Sequence, residues 1–227
     1  MEQSESWPYR DGAGKTLADY PRPSVAVDAA LLTVVPGEEC LSVLQVQRAE
    51  GPDGNPPAGW GLPGTFLHEG ELLLDAVQRC LREKAGVDGT RPRQLHVFDK
   101  PDRDDRGWVL SVAHMDVVRP ERLDGRIDQQ TRIVPADDPG ILPYDHTEII
   151  QRAVATVRAS YELAPDPERL IPGPFTILEL RQLHEAVVGR KFQRDTFRRL
   201  MEPQLTGTGK ITSGTRGRPA ELFRQKH

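Results

Sequence analysis

Trp60-Gly61-Leu62-Pro63-Gly64-Thr65-Phe66-Leu67-His68-Glu69-Gly70-Glu71 runs directly into a proline-free segment, residues 72–87. The first half reads as a glycine-rich turn. The second places Leu72, Ala76, Leu81 and Val87 on one apolar face and meets Gly86, a residue suited to the left-handed conformation in which helices stop. The stretch therefore predicts a loop feeding a helix packed through those four residues. Positions 80, 83 and 84 are spaced i, i+3 and i+4, so they project together from that helix. They hold one thiol, one carboxylate and one ammonium: Cys80, Glu83 and Lys84.

This loop and helix resemble the Nudix box, G-x5-E-x7-R-E-U-x-E-E-x-G-U with U aliphatic, in which a loop-helix holds metal and pyrophosphate. In that register Thr65 stands at the first Gly, Glu71 at the first Glu and Arg79 at the Arg. Of the three glutamates that follow in the pattern, two are replaced by Cys80 and Lys84, and Glu83 remains. Hard cations take oxygen ligands. A lysine puts positive charge where Mg²⁺ or Mn²⁺ would sit, and a thiol is a poor ligand for either. No metal site, no cofactor and no catalytic residue is expected, and metal-assisted hydrolysis is disfavoured. The resemblance places Gly64 and Thr65 at a ligand site.

A chain of 227 residues allows one large or two small domains. No run of about 18 apolar residues occurs, and the first residues are acidic and polar, unlike a basic and then apolar leader. This predicts a cytoplasmic protein with no membrane partner. Cys40 and Cys80 are too few for a disulfide framework or a four-cysteine zinc site. Charge is divided unequally. From Pro174 onward eleven Lys+Arg face five Asp+Glu, a net of +6, which leaves −10 on the preceding residues. Two modules with opposite partners follow: the acidic body disfavours polyanions, whereas the basic tail can hold a phosphate backbone.

Residues 1–22 show no period and read as an arm. Residues 24–35 and 41–48 are β-rich and separated by Pro36-Gly37-Glu38-Glu39, which predicts a hairpin. Residues 51–59, with three prolines and several glycines, read as a loop. Further strands are expected over 94–98 and 108–118. Strands around a central helix, joined partly as hairpins, predict an α/β (α+β) sandwich with a mixed sheet rather than a doubly wound one. In the loop 99–107, Arg103 and Arg106 offer planar guanidinium groups to a phosphate or a base. Leu142-Pro143-Tyr144-Asp145-His146-Thr147-Glu148 opens a helix with Ile150, Ala153, Val154, Val157 and Tyr161 as its stripe. Asp145 and Glu148 form a capping pair there, and His146 is a candidate to line a ligand site.

Residues 164–174, with four prolines, read as a stiff linker. Beyond it Thr176 and Glu179 make a capping box, followed by Leu180, Leu183 and Val187 and a stop at Gly189. Asp195 is expected to cap a second helix with Phe197, Leu200 and Met201 inward and Arg194, Thr196, Arg198 and Arg199 outward, ended by Pro203. Lys210-Ile211-Thr212, a basic turn over 213–218 with Arg216 and Arg218, and residues 219–223 complete a hairpin. Helix, helix and basic-tipped hairpin outline a winged helix-turn-helix. The expected units are an effector domain at 23–163, the linker at 164–174 and a DNA-binding domain at 175–227.

From about Val25 to Arg224 the chain resembles the NrtR family, Nudix-related transcriptional regulators of NAD metabolism. The resemblance is carried by Phe175-Thr176-Ile177-Leu178-Glu179-Leu180 with Glu185, by Thr196-Phe197-Arg198-Arg199, by Gly217-Arg218-Pro219-Ala220 with Leu222-Phe223-Arg224, and by Asp145-His146. An Arg-Asp-x-Arg-Gly string also occurs in Nudix proteins that handle ADP-ribose, and here it is Arg103-Asp104-Asp105-Arg106-Gly107. The resemblance implies a Nudix-type α/β/α sandwich followed by a small winged helix-turn-helix, acting as a DNA-binding repressor. Its effector would be ADP-ribose or a related nucleotide, held by Gly64, Thr65, Arg103, Arg106, Asp145 and His146. A homodimer on a palindromic double-stranded DNA operator is expected, contacted by Lys191, Arg194, Thr196, Arg198, Arg199, Lys210, Arg216 and Arg218. The alternative is a Nudix hydrolase of ADP-ribose or a related nucleotide with weak activity through Glu71 and Glu83.

Overall fold

Strand β1 (Ser24–Val34) is apolar at successive positions, as a strand covered on both faces requires. Ala30 and Leu32 enter one core and Val27, Ala29 and Leu31 the other. The computed structural model describes residues 9–49, 59–123, 130–212 and 219–226. Residues 1–8 of the predicted arm, residues 51–58 of the predicted loop and the predicted basic turn with Arg216 and Arg218 lie outside the described residues.

The expected hairpin forms: β1 pairs antiparallel with β2 (Leu41–Arg48), Thr33 facing Ser42. On its other side β1 runs parallel to β6 (Val109–Val117), with Ala30 facing Met115. β5 (Arg93–Phe98) joins β6 antiparallel at the edge. β3 (Gly59–Gly61) and β7 (Thr131–Pro135) both pair with β2, and β4 (Gly64–Phe66) pairs with β1. The sheet is mixed, with α1 (Leu73–Ala85) packed on one face and α2 (His146–Leu163) on the other. This is the α/β/α sandwich that the sequence predicts. The short strands β3 and β4 lie inside what reads as a plain turn, because three residues are too few to show alternation.

α1 buries Ala76, Val77, Cys80, Leu81 and Ala85 and ends at Gly86, whose φ of 62° is left-handed. Leu72 departs from the predicted packing face. It occupies the N-cap, before the helical period begins, and is exposed. At α2 the expected capping pair does not form: the Asp145 carboxylate binds Arg103, and Glu148 binds Arg152 and Lys100.

A second module follows. α3 (Ile177–Val188), α4 (Arg194–Met201) and the hairpin β8 (Leu205–Ile211) and β9 (Glu221–Gln225) enclose Phe175, Leu180, Phe197, Met201 and Phe223. The capping box closes as predicted, with Thr176 N–H donating to Glu179 at 2.7 Å and Glu179 N–H donating to Thr176 at 3.1 Å. Two details of α4 differ from expectation. Gln193 rather than Asp195 caps it, accepting Thr196 N–H at 2.7 Å. Leu200 is exposed, since Phe197 and Met201, one turn apart, already fill the contact with α3.

The proline-rich segment is packed and does not act as a spacer. Leu170 belongs to the α2 core. The buried Asp166 accepts Tyr161 O–H at 2.9 Å and the N–H groups of Leu170 and Ile171 at 2.8 and 2.9 Å. Its own N–H donates to His184 Nε2 at 3.3 Å. The His184 ring stands edge-on between Tyr161 of α2 and Phe197 of α4, with centroids at 4.9 and 5.1 Å. No described helix is long and apolar enough to cross a membrane.

Burial pulls His184 down to about 4, below the value of about 6.5 for an unfolded histidine. The folded state therefore prefers the neutral ring. Its stability is intact above about pH 6.5 and falls as pH drops toward 4, because the unfolded chain takes up the proton first. In urea denaturation at pH 7 and pH 5, the parent should lose about 2 kcal/mol more than His184→Gln, which keeps an acceptor for the Asp166 N–H.

Candidate ligand cavity and nucleic-acid face

The ends of β1 and β2, the short strand β4, the 99–107 loop and the start of α2 enclose a cavity of about 860 Å³. Five of the six predicted ligand residues line it: Gly64, Thr65, Arg103, Arg106 and His146. Asp145 stands behind the wall, holding Arg103 Nε at 2.6 Å. Arg48, Phe66, Lys84 and Tyr144 also line the cavity and were not anticipated. Tyr144 has φ 52°, uncommon for a non-glycine residue and an indicator of function that only the backbone reveals.

The buried carboxylate of Asp28 anchors the wall. Ser111 O–H donates to it at 2.5 Å, His146 Nε2 lies 3.3 Å away and Arg103 Nη2 3.7 Å away. Burial alone would raise this carboxyl, but His146, Ser111 and Arg103 outweigh it and hold Asp28 below the usual carboxylate range. His146 Nδ1 accepts Leu62 N–H at 3.0 Å, so a neutral ring carries its proton on Nε2, facing Asp28. Gly64 lies opposite Asp28 in the β1–β4 pairing, and a methyl group there would sit 2.2 Å from Asp28 Oδ1. Only glycine allows this approach.

The two arginines of the 99–107 loop differ. The Arg103 side chain is 3% exposed and bound between Asp28 and Asp145. Arg106 is half-exposed, grips Asp104 through two bonds of 2.8 and 2.7 Å, and lies 5.3 Å from the rings of both Phe66 and Tyr144. Arg48 stacks on Tyr144 at 5.1 Å and donates to its hydroxyl at 3.3 Å.

The Nudix-box positions do not fit a divalent cation. Arg79 and the His68 N–H bind the Glu71 carboxylate and hold it at about 2, so this group fastens the loop to α1. Glu83 is exposed and 3.8 Å from Arg79. Burial pushes the Cys80 thiol up to about 12, leaving it neutral. Lys84 donates its ammonium proton to the Gly64 carbonyl. Among the described residues no group of three or more His, Cys, Asp or Glu could hold a metal.

The second module turns a basic face outward. Arg194, Thr196, Arg198 and Arg199 are exposed on α4, opposite Phe197 and Met201, and Lys210 is exposed on β8. Arg198 binds Glu202 at 2.9 and 2.7 Å. Glu185 fixes the α3–α4 turn by accepting Phe192 N–H at 3.0 Å. Lys191 is exposed as well, and it bridges Glu185 to Glu39 of the β1–β2 turn, at 3.5 and 3.0 Å.

Residues 23–159 match the NUDIX domain family, and residues 167–225 match the NrtR DNA-binding winged helix domain. A crystal structure of Shewanella oneidensis NrtR complexed with a 27mer DNA superposes with a TM-score of 0.72 at 32% identity, covering 89% of this chain and 93% of that one. The chain belongs to the NrtR family. An ADPR responsive transcriptional repressor of Acinetobacter baylyi is 29% identical over 221 residues, 91% of this chain and 84% of the relative. The Nudix domain of Shewanella NrtR, complexed with ADP ribose, matches 63% of this chain and 94% of its own length at 30% identity and a TM-score of 0.53. An ADP-ribose pyrophosphatase of Methanocaldococcus jannaschii is 31% identical over 134 residues, 58% of this chain and 73% of that protein. The NrtR winged helix and the Nudix domain thus occupy the basic and acidic parts of the charge division.

Arg103 and Arg106 should separate in a stability measurement. Arg103→Ala removes the charged partner of the buried Asp28 and the half-buried Asp145 and should lower the unfolding free energy by about 3–5 kcal/mol. Arg106→Ala, at the half-exposed mouth, should stay within about 1 kcal/mol of the parent in the same urea titration.

Proposed function

We propose that this NrtR-family protein is a cytoplasmic repressor of NAD-metabolism genes whose cavity receives ADP-ribose and whose DNA affinity falls when the ligand binds. One observation carries the coupling. α2 begins with His146 in the cavity wall and runs to Tyr161, which meets His184 and, through it, Phe197 of α4. A single helix of about 27 Å therefore joins ligand site and recognition helix. A ligand that prefers the non-binding arrangement of the two modules lowers DNA affinity by its differential affinity for the two states.

In this reading 23–163 is the effector domain, 164–174 the joint and 175–227 the DNA-binding domain. α4 enters the major groove with Arg194, Thr196, Arg198 and Arg199, while Lys210 and the basic wing residues Arg216 and Arg218 meet phosphates. One module covers a half-site, so the protein acts as a homodimer on a palindrome. Hydrolysis of ADP-ribose is a second reading, supported by the likeness to the pyrophosphatase. Against it stand the neutral Cys80 thiol, the Lys84 ammonium and the engagement of Glu71 with Arg79.

Gel shifts on the gene's own upstream DNA test the proposal. A complex should form without ligand and dissociate on adding ADP-ribose, and a complex indifferent to ADP-ribose would refute the effector assignment. Arg198→Ala with Arg199→Ala should abolish sequence-selective retention and leave thermal melting close to the parent, since the Arg198–Glu202 pair is exposed. Turnover of ADP-ribose with Mg²⁺ should stay well below ~1 s⁻¹, the lower edge of the usual enzyme range.

A further inference from the structure

We propose that the Lys84 ammonium replaces the divalent cation of the Nudix box, so that the cavity holds the diphosphate of its ligand without metal. This deepens the effector reading above and rests on it. Lys84 lines the cavity beside Gly64, whose carbonyl accepts one of its protons. That bond seats the ammonium at the β4 edge, and a lysine has three protons to donate. Two remain for phosphate oxygens.

The charge balance of the cavity points the same way. Asp28 and Asp145 share Arg103, the His146 ring adds a hydrogen bond to Asp28, and Asp104 is matched by Arg106. Glu83 lies 3.8 Å from Arg79 of the same helix. Lys84 and Arg48 have no carboxylate within 4.0 Å among the described residues, and both line the cavity. The neighbouring Cys80 is a neutral thiol, so it does not cancel the lysine. Two uncommitted cations facing one space suit a diphosphate diester, which carries two negative charges. Arg48 is held in place by Tyr144, and Lys84 by Gly64. A cation entering this space would meet Lys84 first and be repelled.

Calorimetric titration of the full chain tests this with ADP-ribose, inorganic pyrophosphate and adenosine, each in EDTA and in Mg²⁺. ADP-ribose should bind in EDTA, with a Kd within about twofold of that in Mg²⁺. Lys84→Ala should weaken ADP-ribose and pyrophosphate by about tenfold or more, the loss of one charge-assisted contact. Any adenosine binding should be unchanged. Lys84→Arg should recover most of the loss. Because Lys84 is exposed, melting curves of both variants should overlay the parent's. Parent binding that appears only with Mg²⁺, or an undiminished affinity in Lys84→Ala, overturns the proposal. If pyrophosphate binds in EDTA through Lys84 while ADP-ribose does not bind, the effector assignment falls and the metal-free diphosphate site stands. If neither binds in EDTA, the proposal is wrong.

Discussion

A buried carboxylate is tolerated only where partners replace the water it has lost. Asp28, in the middle of the central strand, imposes that condition on three other parts of the chain. Ser111 comes from β6, His146 from the start of α2 and Arg103 from the 99–107 loop. β4 contributes by subtraction, since Gly64 leaves room for the carboxylate. Arg103 then fixes Asp145, and His146 fixes Leu62 N–H. The shape of the cavity thus depends on this network and hardly on the helix face that hydrolases use for metal. Cys80 and Lys84 can replace glutamates without disturbing the walls.

Much of the architecture was legible because its signals are local. The turn at Pro36-Gly37 announces the β1–β2 hairpin, Gly86 ends α1, and Thr176 with Glu179 starts α3. The division of charge located the winged-helix module. What escaped the reading depends on partners distant in sequence. Nothing near Arg103 reveals that Asp28 and Asp145 will bury it, and nothing near His146, though it was expected to line the site, reveals that Asp28 and Leu62 N–H will fix its ring. Arg48 ends a strand, where an arginine ordinarily meets solvent, and Tyr144 becomes visible as its platform only in three dimensions. Gln193 is not among the favoured N-cap residues, which drew the reading to Asp195 instead.

The segment between the two modules carries the clearest lesson in composition. Four prolines suggested a stiff spacer, yet the bend folds back on itself because the Asp166 carboxylate gathers its backbone donors. Burial pushes that carboxyl up, and the two N–H groups and Tyr161 offset only part of the rise. Gln225 of β9 donates to the carbonyls of Pro165 and Asp166, and Arg158 of α2 donates to Val187 of α3. The modules are therefore stitched at several points and lean on one another.

The parallel pairing of β1 with β6 has a consequence for synthesis. Ser24 faces Val109 and Leu32 faces Val117, so the central strand cannot acquire its main neighbour until most of the first domain has been made. Contacts of such separation are slow to form, because the loop must be closed before it is rewarded. An emerging chain would hold the β1–β2 hairpin with the short β3 and β4, and the edge of β1 that awaits β6 would stay bare while the ribosome continues through the α1 region. The winged helix has the opposite character, since its core is assembled from residues close in sequence. Aggregation during expression is thus a hazard of the first domain, and chaperone demand should persist until α2, which covers the second face of the sheet, has left the exit tunnel.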